Sequence, residues 1–290
     1  MTLQQANAAV TAAGVYGTWP FLPVTDYTLI TNRPSVALSQ KRVNGKNILV
    51  GHNANEGALF APLGITTLDD LKNWLHLEFP TLNAAEIQQV LNAYPSSDAP
   101  TNPDDAKFAT NGLGSATAVN ISQVATGQQQ RAYNIFAEAT FVCPSYWLST
   151  AYNSLTRSSY HYQYSVPLAS HMDDVTGYFG PSAPNQSPAF SLAFRKIWGN
   201  FIKTGNPSVS SDSVLRNFPT WSGNQNTQMV NLNTTGGTAY EVPTQFNVTV
   251  IQFTEPGLQN DFAAVNAYTW EGGRGARCDF WKSIAAKVSI

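Results

Sequence analysis

Two side chains of this sequence could form an acid–base pair, and each lies just beyond a segment with the composition of a buried strand. Glu56 follows the apolar run 46–50 (KNILV), and His171 follows the aromatic and β-branched run 160–166 (YHYQYSV). In open parallel sheets, functional groups cluster beyond the carboxyl ends of the strands. A carboxylate at that place can hold an imidazole in one tautomer and stabilise its protonated form. The placement therefore predicts general acid–base catalysis by His171, oriented by Glu56.

Neither residue is strong evidence by itself, because a glutamate in a turn after a strand, or a histidine in a loop, is usually an ordinary turn residue. The chain order gives some support. An acid that precedes the histidine is the arrangement of α/β-hydrolases, in which the nucleophilic serine lies further upstream. The strained serine turn of those enzymes, G-x-S-x-G, does not occur in this sequence.

The other potential binding motifs are also missing from the sequence. His52, His76 and His161 lie in no H-E-x-x-H or Cys/His zinc spacing, and there is no P-loop. The glycine cluster at 271–275 (EGGRG) precedes no dinucleotide-binding unit. We therefore expect neither a metal nor an organic cofactor.

The elements that must position the pair can be predicted from hydrophobic spacing and from capping residues. Thr67 with Asp70, and Asn83 with Glu86, have the spacing of capping boxes that begin two amphipathic helices. Further along the chain we predict a surface loop over 95–114, followed by a helix, a break and a second helix over 128–155, with Pro144 in the first turn of the second helix. The strand 160–166 and a helix over 189–204 come next. The chain then has two short strands at 228–232 and 238–242, joined by a hairpin at NTTGG, and a last helix from about Cys278. This order is typical of part of an α/β domain.

Composition limits the class of partner. Of the 290 residues, 16 are Lys or Arg and 18 are Asp or Glu, so the net charge is -2 and only 12% of positions are charged. This balance argues against nucleic acid or an anionic membrane as the main partner. Hydrophobic residues make up 43%, enough for a core, but no apolar run is long enough for a transmembrane segment.

Two local strings resemble motifs of the type-B carboxylesterase family, which includes cholinesterases and fungal lipases. Residues 51–60 (GHNANEGALF) are similar to its acid motif, a turn of small residues that ends in Glu-Gly and an aromatic, with Glu56 at the acid of the catalytic triad. Residues 171–180 (HMDDVTGYFG) are similar to its histidine motif, and the matching positions are His171, Asp174, Phe179 and Gly180.

Further segments extend the resemblance over nearly the whole chain. Residues 197–207 (IWGNFIKTGNP) and 218–221 (FPTW) are similar to the family's helix, Gly-x-Pro stop and Trp-containing segment. The contexts VCPSYW and RCDFW place Cys143 and Cys278 at the positions that the family joins by a disulfide bond, so the resemblance implies this pairing rather than two free thiols. A disulfide in turn implies an oxidising compartment.

The resemblance implies that residues 1–290 form a single partial domain, the C-terminal portion of an α/β-hydrolase fold with a mostly parallel sheet flanked by helices. The implied reaction is hydrolysis of a small-molecule or lipid ester by a Ser-His-Glu triad containing Glu56 and His171. The N-terminal half of the family, with its serine turn and oxyanion loop, has no counterpart in this sequence, so we expect the chain alone to be inactive and its sheet to have an exposed edge. We further expect a secreted protein, with a signal peptide upstream of Met1.

Two other functions are compatible with the sequence. One is a non-catalytic binding or adhesion protein, since some relatives keep the fold and lose the triad, although retention of Glu56 and His171 counts against it. The other is a free-standing short protein that uses His171 for acid–base isomerisation or cyclisation.

Several remaining residues have a simpler interpretation. We expect Trp74, Tyr94, Trp147, Phe190 and Phe194 to pack in the core rather than line a substrate gorge. His52 and Asp173 are expected to be solvated turn residues, and Asp174 is expected to orient the local turn. The sequons that begin at Asn120, Asn185, Asn233 and Asn247 permit glycosylation but do not indicate it.

Overall fold

The computed structural model describes residues 2–14, 24–95, 123–125 and 127–288. The predicted surface loop at 95–114 lies outside the described residues except for Pro95, and so does the sequon at Asn120. Over the part of the chain that is described, no helix is long and apolar enough to cross a membrane.

A mixed sheet forms the centre of the described structure. Its four strands are β1 (Asn47–Asn53), β2 (Ser158–Tyr164), β3 (Gln228–Pro243) and β4 (Thr249–Asn266), in the spatial order β1-β2-β3-β4. The pairs β1·β2 and β2·β3 are parallel, whereas β3·β4 is antiparallel. Within the described ranges β1 pairs on one side only, which makes it an edge strand.

The helices flank this sheet, and two of them begin as predicted. They are α1 (Leu3–Ala13), α2 (Pro34–Ser39), α3 (Leu68–Glu78), α4 (Ala84–Ala93), α5 (Gly127–Ala137), α6 (Cys143–Ala151), α7 (Val175–Tyr178), α8 (Pro188–Thr204) and α9 (Trp270–Ile284). At the start of α3, Thr67 Oγ1 accepts a hydrogen bond from the Asp70 N–H, and the Asp70 side chain accepts one from the Thr67 N–H. Asn83 and Glu86 form the same capping box at α4. Each box satisfies two N–H groups that a helix start leaves without partners.

Strand β2 separates two layers because its side chains alternate between the two faces of the sheet. Tyr160, Tyr162 and Tyr164 belong to the same apolar cluster as Phe190 and Phe194 of α8. The intervening His161 and Gln163 side chains contact polar groups of α6 and α9 instead. A second apolar cluster lies among α3, α4, α5, α6 and α9. The aromatic residues that the sequence assigns to the core, Trp74, Tyr94, Trp147, Phe190 and Phe194, are all buried.

The predicted hairpin at NTTGG is wrong. Residues 228–232 and 238–242 belong to one long strand, β3, and its antiparallel partner is β4, which the sequence pattern did not indicate. Gly236 and Gly237 have positive φ values of 71° and 86° and lie at an irregularity in the β3·β4 register. Paired glycines in a strand can form a bulge instead of a chain reversal. The reversal comes later, where the Thr244 N–H donates to the Val248 carbonyl at 3.0 Å.

The predicted break between α5 and α6 is a π turn over Glu138–Val142. Its cause lies in Pro144, which has no N–H for an α-helical bond and whose ring would collide with the carbonyl group four residues back. The chain widens by one residue instead, and the Cys143 N–H donates to the Glu138 carbonyl five residues earlier. Pro144 itself lies in the first turn of α6, as predicted.

Candidate active site

The carboxyl ends of β1 and β2 lie side by side, because these parallel strands are in register up to the pair Asn53 and Tyr164. Hydrogen bonds join the loops that follow the two strands. The Ala54 N–H donates to the Tyr164 carbonyl at 2.9 Å, and the Asn55 N–H donates to the Ala169 carbonyl at 2.8 Å. This backbone pairing brings together the loops that carry Glu56 and His171.

Glu56 and His171 are in direct contact in the structure. His171 Nδ1 lies 2.5 Å from Glu56 Oε2, and the Glu56 side chain is buried. The other carboxylate oxygen, Oε1, accepts hydrogen bonds from the backbone N–H of Asn53 at 2.6 Å and from its Nδ2 at 3.2 Å. The His171 side chain is 28% exposed, so the ring can be reached from outside. The hydrogen bond to Glu56 raises the pKa of His171, and partial burial opposes this effect without cancelling it.

A glycine allows the acid loop to pack closely on the neighbouring helix. A Cβ atom at Gly57 would lie 1.9 Å from the carbonyl oxygen of Tyr133 in α5. Only glycine permits this approach, so the Glu-Gly dipeptide in the acid motif has a steric reason.

The backbone on both sides of His171 adopts a conformation that is uncommon for residues with side chains. Ala169 has a φ of 52° and Met172 a φ of 74°, both in the left-handed region. Such positions cost free energy and persist only where the surrounding structure enforces them, which happens often at functional sites.

The two aspartates that follow His171 differ in their surroundings. Asp174 is buried; its carboxylate accepts hydrogen bonds from Asn53 Nδ2 at 3.1 Å and from the Tyr162 hydroxyl at 3.1 Å, so it bridges two elements. Burial raises its pKa. Asp173, expected to be solvated, is partly buried, and its carboxylate accepts a hydrogen bond from the Ser170 N–H at 2.8 Å. Burial, with Asp174 nearby, raises the pKa of Asp173 to about 6.

Two aromatic rings pack against the His171 imidazole. The Phe60 and Phe141 ring centroids lie 5.1 Å and 4.7 Å from that of His171, and 5.1 Å from each other. Phe60 ends the acid motif, but no local pattern in the sequence pointed to Phe141. The arrangement gives the imidazole an apolar surrounding that limits water around it.

His52 is not the solvated turn residue that the sequence suggested. It lies within β1, is buried, and has its Nδ1 2.9 Å from Nε2 of His161. Burial lowers the pKa of both rings, that of His161 to about 3. Ser149 Oγ lies 2.8 Å from His161 Nδ1. Because Ser149 and His161 have no exposed surface, a substrate could not reach this serine–histidine contact.

The Cys143–Cys278 disulfide implied by the resemblance is present, and it links α6 to α9. Next to it lies a buried ionic cluster that the sequence did not reveal. Glu138 accepts hydrogen bonds from Arg274 and Arg277, and Arg274 also donates to Gln163 of β2. The described residues contain no group of three His, Cys, Asp or Glu side chains placed to hold a metal ion.

Comparisons with known proteins find similarity to carboxylesterases. The profile of the Carboxylesterase family matches residues 1–250. The chain is 26% identical over 218 residues to Carboxylesterase patB of Penicillium expansum, covering 72% of this chain and 34% of that protein. It is 29% identical over 173 residues to the Inactive carboxylesterase-like protein VdtD of Byssochlamys spectabilis, covering 57% of this chain and 27% of that protein.

Among solved structures, the chain is similar to the crystal structure of Aspergillus niger EstA, with a TM-score of 0.62 and 18% identity. The match covers 94% of this chain and 46% of EstA. This likeness confirms the predicted fold class, part of an α/β-hydrolase fold. The chain spans less than half of the solved structure and about a third or less of the curated relatives it matches.

Proposed function

Because the chain belongs to the carboxylesterase family, we propose that it supplies the histidine and the acid of a Ser-His-Glu triad that hydrolyses carboxylic esters. The observation that carries the proposal is the 2.5 Å contact between His171 Nδ1 and Glu56 Oε2 at the carboxyl ends of two parallel strands. The serine is proposed to come from an N-terminal half, either in a longer precursor or in a partner chain. The absence of G-x-S-x-G and the partial coverage of the relatives support this view.

In the proposed reaction, His171 transfers protons and Glu56 keeps it in place. Glu56 engages Nδ1, which leaves Nε2 to take the proton from the serine hydroxyl as the serine attacks the ester carbonyl. The imidazolium then gives that proton to the departing alcohol, and an acyl-enzyme forms. The same nitrogen then deprotonates a water molecule that attacks the acyl-enzyme, and the imidazolium returns this proton to the serine oxygen as the carboxylic acid leaves. Glu56 stabilises the imidazolium in both halves of the cycle without taking up the proton.

The proposed substrate is a small-molecule or lipid ester, and the proposed location is extracellular. The apolar rings of Phe60 and Phe141 beside His171 suit a hydrophobic acyl or alcohol group. The disulfide supports an oxidising compartment. Within the described residues the free edge of β1 offers unpaired backbone groups to an N-terminal half.

The test uses protein isolated from its native source with any chain or segment that accompanies it. A fluorophosphonate that labels activated serines should react, and peptide mapping should place the label on a serine outside residues 1–290. In the same assembly made recombinantly, His171→Ala and Glu56→Gln should each lower kcat/KM by a factor of about 10³ or more. His76→Ala, at an exposed position on α3, serves as the matched control.

A binding protein without catalysis is the second candidate, because one relative is described as an inactive carboxylesterase-like protein. An isolated complex that is folded but unreactive to the phosphonate would favour it. A folded monomer that begins at Met1 and has no partner would instead rule out serine-dependent hydrolysis. It would leave binding, or acid–base isomerisation or cyclisation by His171, as the alternatives.

A further inference from the structure

The π turn Glu138–Val142 contacts two parts of the protein that the proposed reaction treats separately. At its first residue, the Glu138 carboxylate binds the guanidinium groups of Arg274 and Arg277 in α9. At its fourth residue, the Phe141 ring packs on the His171 imidazole. Five residues of irregular helix therefore lie between a buried ionic cluster and the proposed catalytic histidine.

The extra residue of the π turn determines where the Phe141 ring is placed. In a regular α-helix, side chains that share a face are three or four residues apart. Phe136 and Phe141 are five residues apart, yet their ring centroids lie 6.1 Å from each other, and Phe60 stacks on Phe136 at 5.2 Å. The widening caused by Pro144 thus adds Phe141 to the ring cluster beside His171. Functional sites often contain such single π turns.

The ionic cluster fixes the other end of the turn. Glu138 and Arg274 are each 1% exposed, and Arg277 donates to both carboxylate oxygens, at 2.7 Å from Nε and from Nη2. The Tyr94 hydroxyl adds a hydrogen bond to Oε2 at 2.7 Å. Burial raises the pKa of Glu138, but Arg277 and Arg274 outweigh it and hold the pKa below its ordinary value. A buried carboxylate with this many partners has one allowed position, so the turn that carries it is fixed too.

We propose that the π turn positions His171: Phe141 packs on the imidazole and keeps it directed at Glu56, and the Glu138 ion pairs hold Phe141 in place. Phe141 is thus a positioning residue that acts through His171. The inference rests on the proposed role of His171 in ester hydrolysis, but its structural part can be measured without a serine. Phe60 contributes a second ring from the loop that carries the acid, so rings from two elements pack on the imidazole.

The first test is NMR of the 290-residue chain, with ¹⁵N-labelled histidine titrated with pH. In Phe141→Leu, which removes the ring and keeps apolar volume, we expect the pKa of His171 to move down toward 6.5 and the Nδ1–H proton signal of the Glu56 hydrogen bond to be lost. Phe141→Tyr keeps the ring, so the wild-type pKa of His171 and the Nδ1–H signal should both be retained. Phe201→Leu is the matched control, because Phe201 is also partly buried and packs on Tyr160.

A second variant tests the anchor without touching the ring. Glu138→Asp keeps the charge but shortens the side chain, so it should pull the turn away and shift the His171 titration in the same direction as Phe141→Leu. Glu138→Asp therefore still tests the proposal if Phe141→Leu does not fold. A His171 titration that is unchanged in both variants, or equally changed in Phe201→Leu, would overturn the proposal.

Kinetics of the assembled esterase separates positioning from substrate contact. A positioning role predicts that Phe141→Leu lowers kcat about 10-fold or more while KM changes less than about twofold. A rise in KM with unchanged kcat would contradict it. If the NMR shift appears but no variant of the assembly hydrolyses esters, the proposed function fails and the positioning of His171 stands.

Discussion

The side chain of Asn53 forms two hydrogen bonds with Asp174. Asn53 Nδ2 donates to Asp174 Oδ1 at 3.1 Å, and the Asp174 N–H donates to Asn53 Oδ1 at 3.2 Å. Asn53 also gives Glu56 Oε1 two hydrogen bonds, so one amide joins the loop that carries the acid to the loop that carries the histidine. Because Oε1 is held in this way, Oε2 is directed at His171.

Replacing this amide should therefore impair the site more than the fold. If the chain functions in the proposed esterase, Asn53→Ala should lower kcat/KM by about 10- to 100-fold, as loss of a supporting partner does elsewhere. The free energy of unfolding should fall by about 1–3 kcal/mol, because Asp174 loses a buried donor. Steady-state kinetics and urea denaturation measure the two effects.

Asn185→Ala gives the matched control for Asn53→Ala. Asn185 is a buried amide whose Nδ2 donates to the Pro167 carbonyl at 2.6 Å. We expect a similar loss of stability with kcat/KM nearly unchanged. Equal losses of activity in both variants would show that Asn53 acts only through general stability.

The sequence was informative where a function depends on a short contiguous string. Glu56 and His171 each lie in one motif after one strand, so local pattern and resemblance were enough to predict their meeting. Glu138 and Arg274 are far apart in the chain, and no local signal connects them. The only indication in the sequence is that charged residues are few, so a glutamate such as Glu138 within an apolar helical segment stands out. Likewise, Gly236 and Gly237 are compatible with either a turn or a bulge, and only the pairing of their strand with β4 distinguishes the two.

Asp173→Asn should stabilise the protein, with a gain that grows as the pH rises from about 4 to about 6 and is complete above about pH 6. The pKa of Asp173 is about 6 in the folded protein, against 3.8 for an ordinary aspartate. The folded state therefore holds more protons than the unfolded state between these values, and the contribution of Asp173 to stability is lost as the pH rises through this range. Asparagine cannot ionise, yet its oxygen can still accept the Ser170 N–H.

We expect Asp173→Asn to gain about 1 kcal/mol in the free energy of unfolding at pH 7.5 and nothing at pH 4, measured by urea denaturation. Asp261→Asn, at an exposed position on β4, is the control. A gain that is the same at both pH values would show that Asp173 is not held against ionisation.

The buried pair His52 and His161 should make the protein sensitive to acid. The pKa of His161 is about 3, against 6.5 for an ordinary histidine, and that of His52 is also lowered, mainly by burial. Between pH 6.5 and about 3 these histidines are protonated in the unfolded chain but stay neutral in the folded protein. The free energy of unfolding therefore decreases as the pH falls through this range.

His161→Gln should reduce this dependence. Urea denaturation at pH 7, 5.5 and 4.5 should give a shallower decline for the variant than for the wild type, whatever their difference at pH 7. His76→Gln, at an exposed histidine, should keep the wild-type slope. Parallel slopes for all three proteins would show that His161 is not responsible.

Glycosylation, if the protein passes through a secretory pathway, should occur at Asn247 rather than at Asn185 or Asn233. Asn247 is exposed at the reversal between β3 and β4, whereas the other two side chains are buried. A glycan needs an accessible amide, and the Asn185 amide is already bonded to Pro167. Peptide mapping of secreted protein after glycosidase treatment in H₂¹⁸O should mark Asn247, and Asn247→Gln should remove that label. A label at Asn185 would mean that this region is accessible when the glycan is attached.

Removing the disulfide should be the most damaging of these changes to stability, because the bond closes a long loop. Cys143 and Cys278 are separated by 135 positions, and the chain-entropy relation gives about 5 kcal/mol for a loop of this size, as an upper value. The bond also ties α6, which follows the π turn, to α9, which carries Arg274 and Arg277. We expect the double substitution of both cysteines by alanine to lower the free energy of unfolding by about 2–5 kcal/mol.

If the π turn positions His171, the pKa of His171 should also shift toward 6.5 in any double variant that remains folded, because α6 and α9 lose the covalent link beside the ionic cluster. A variant that loses stability while His171 titrates as in the wild type would limit the disulfide to a role in folding.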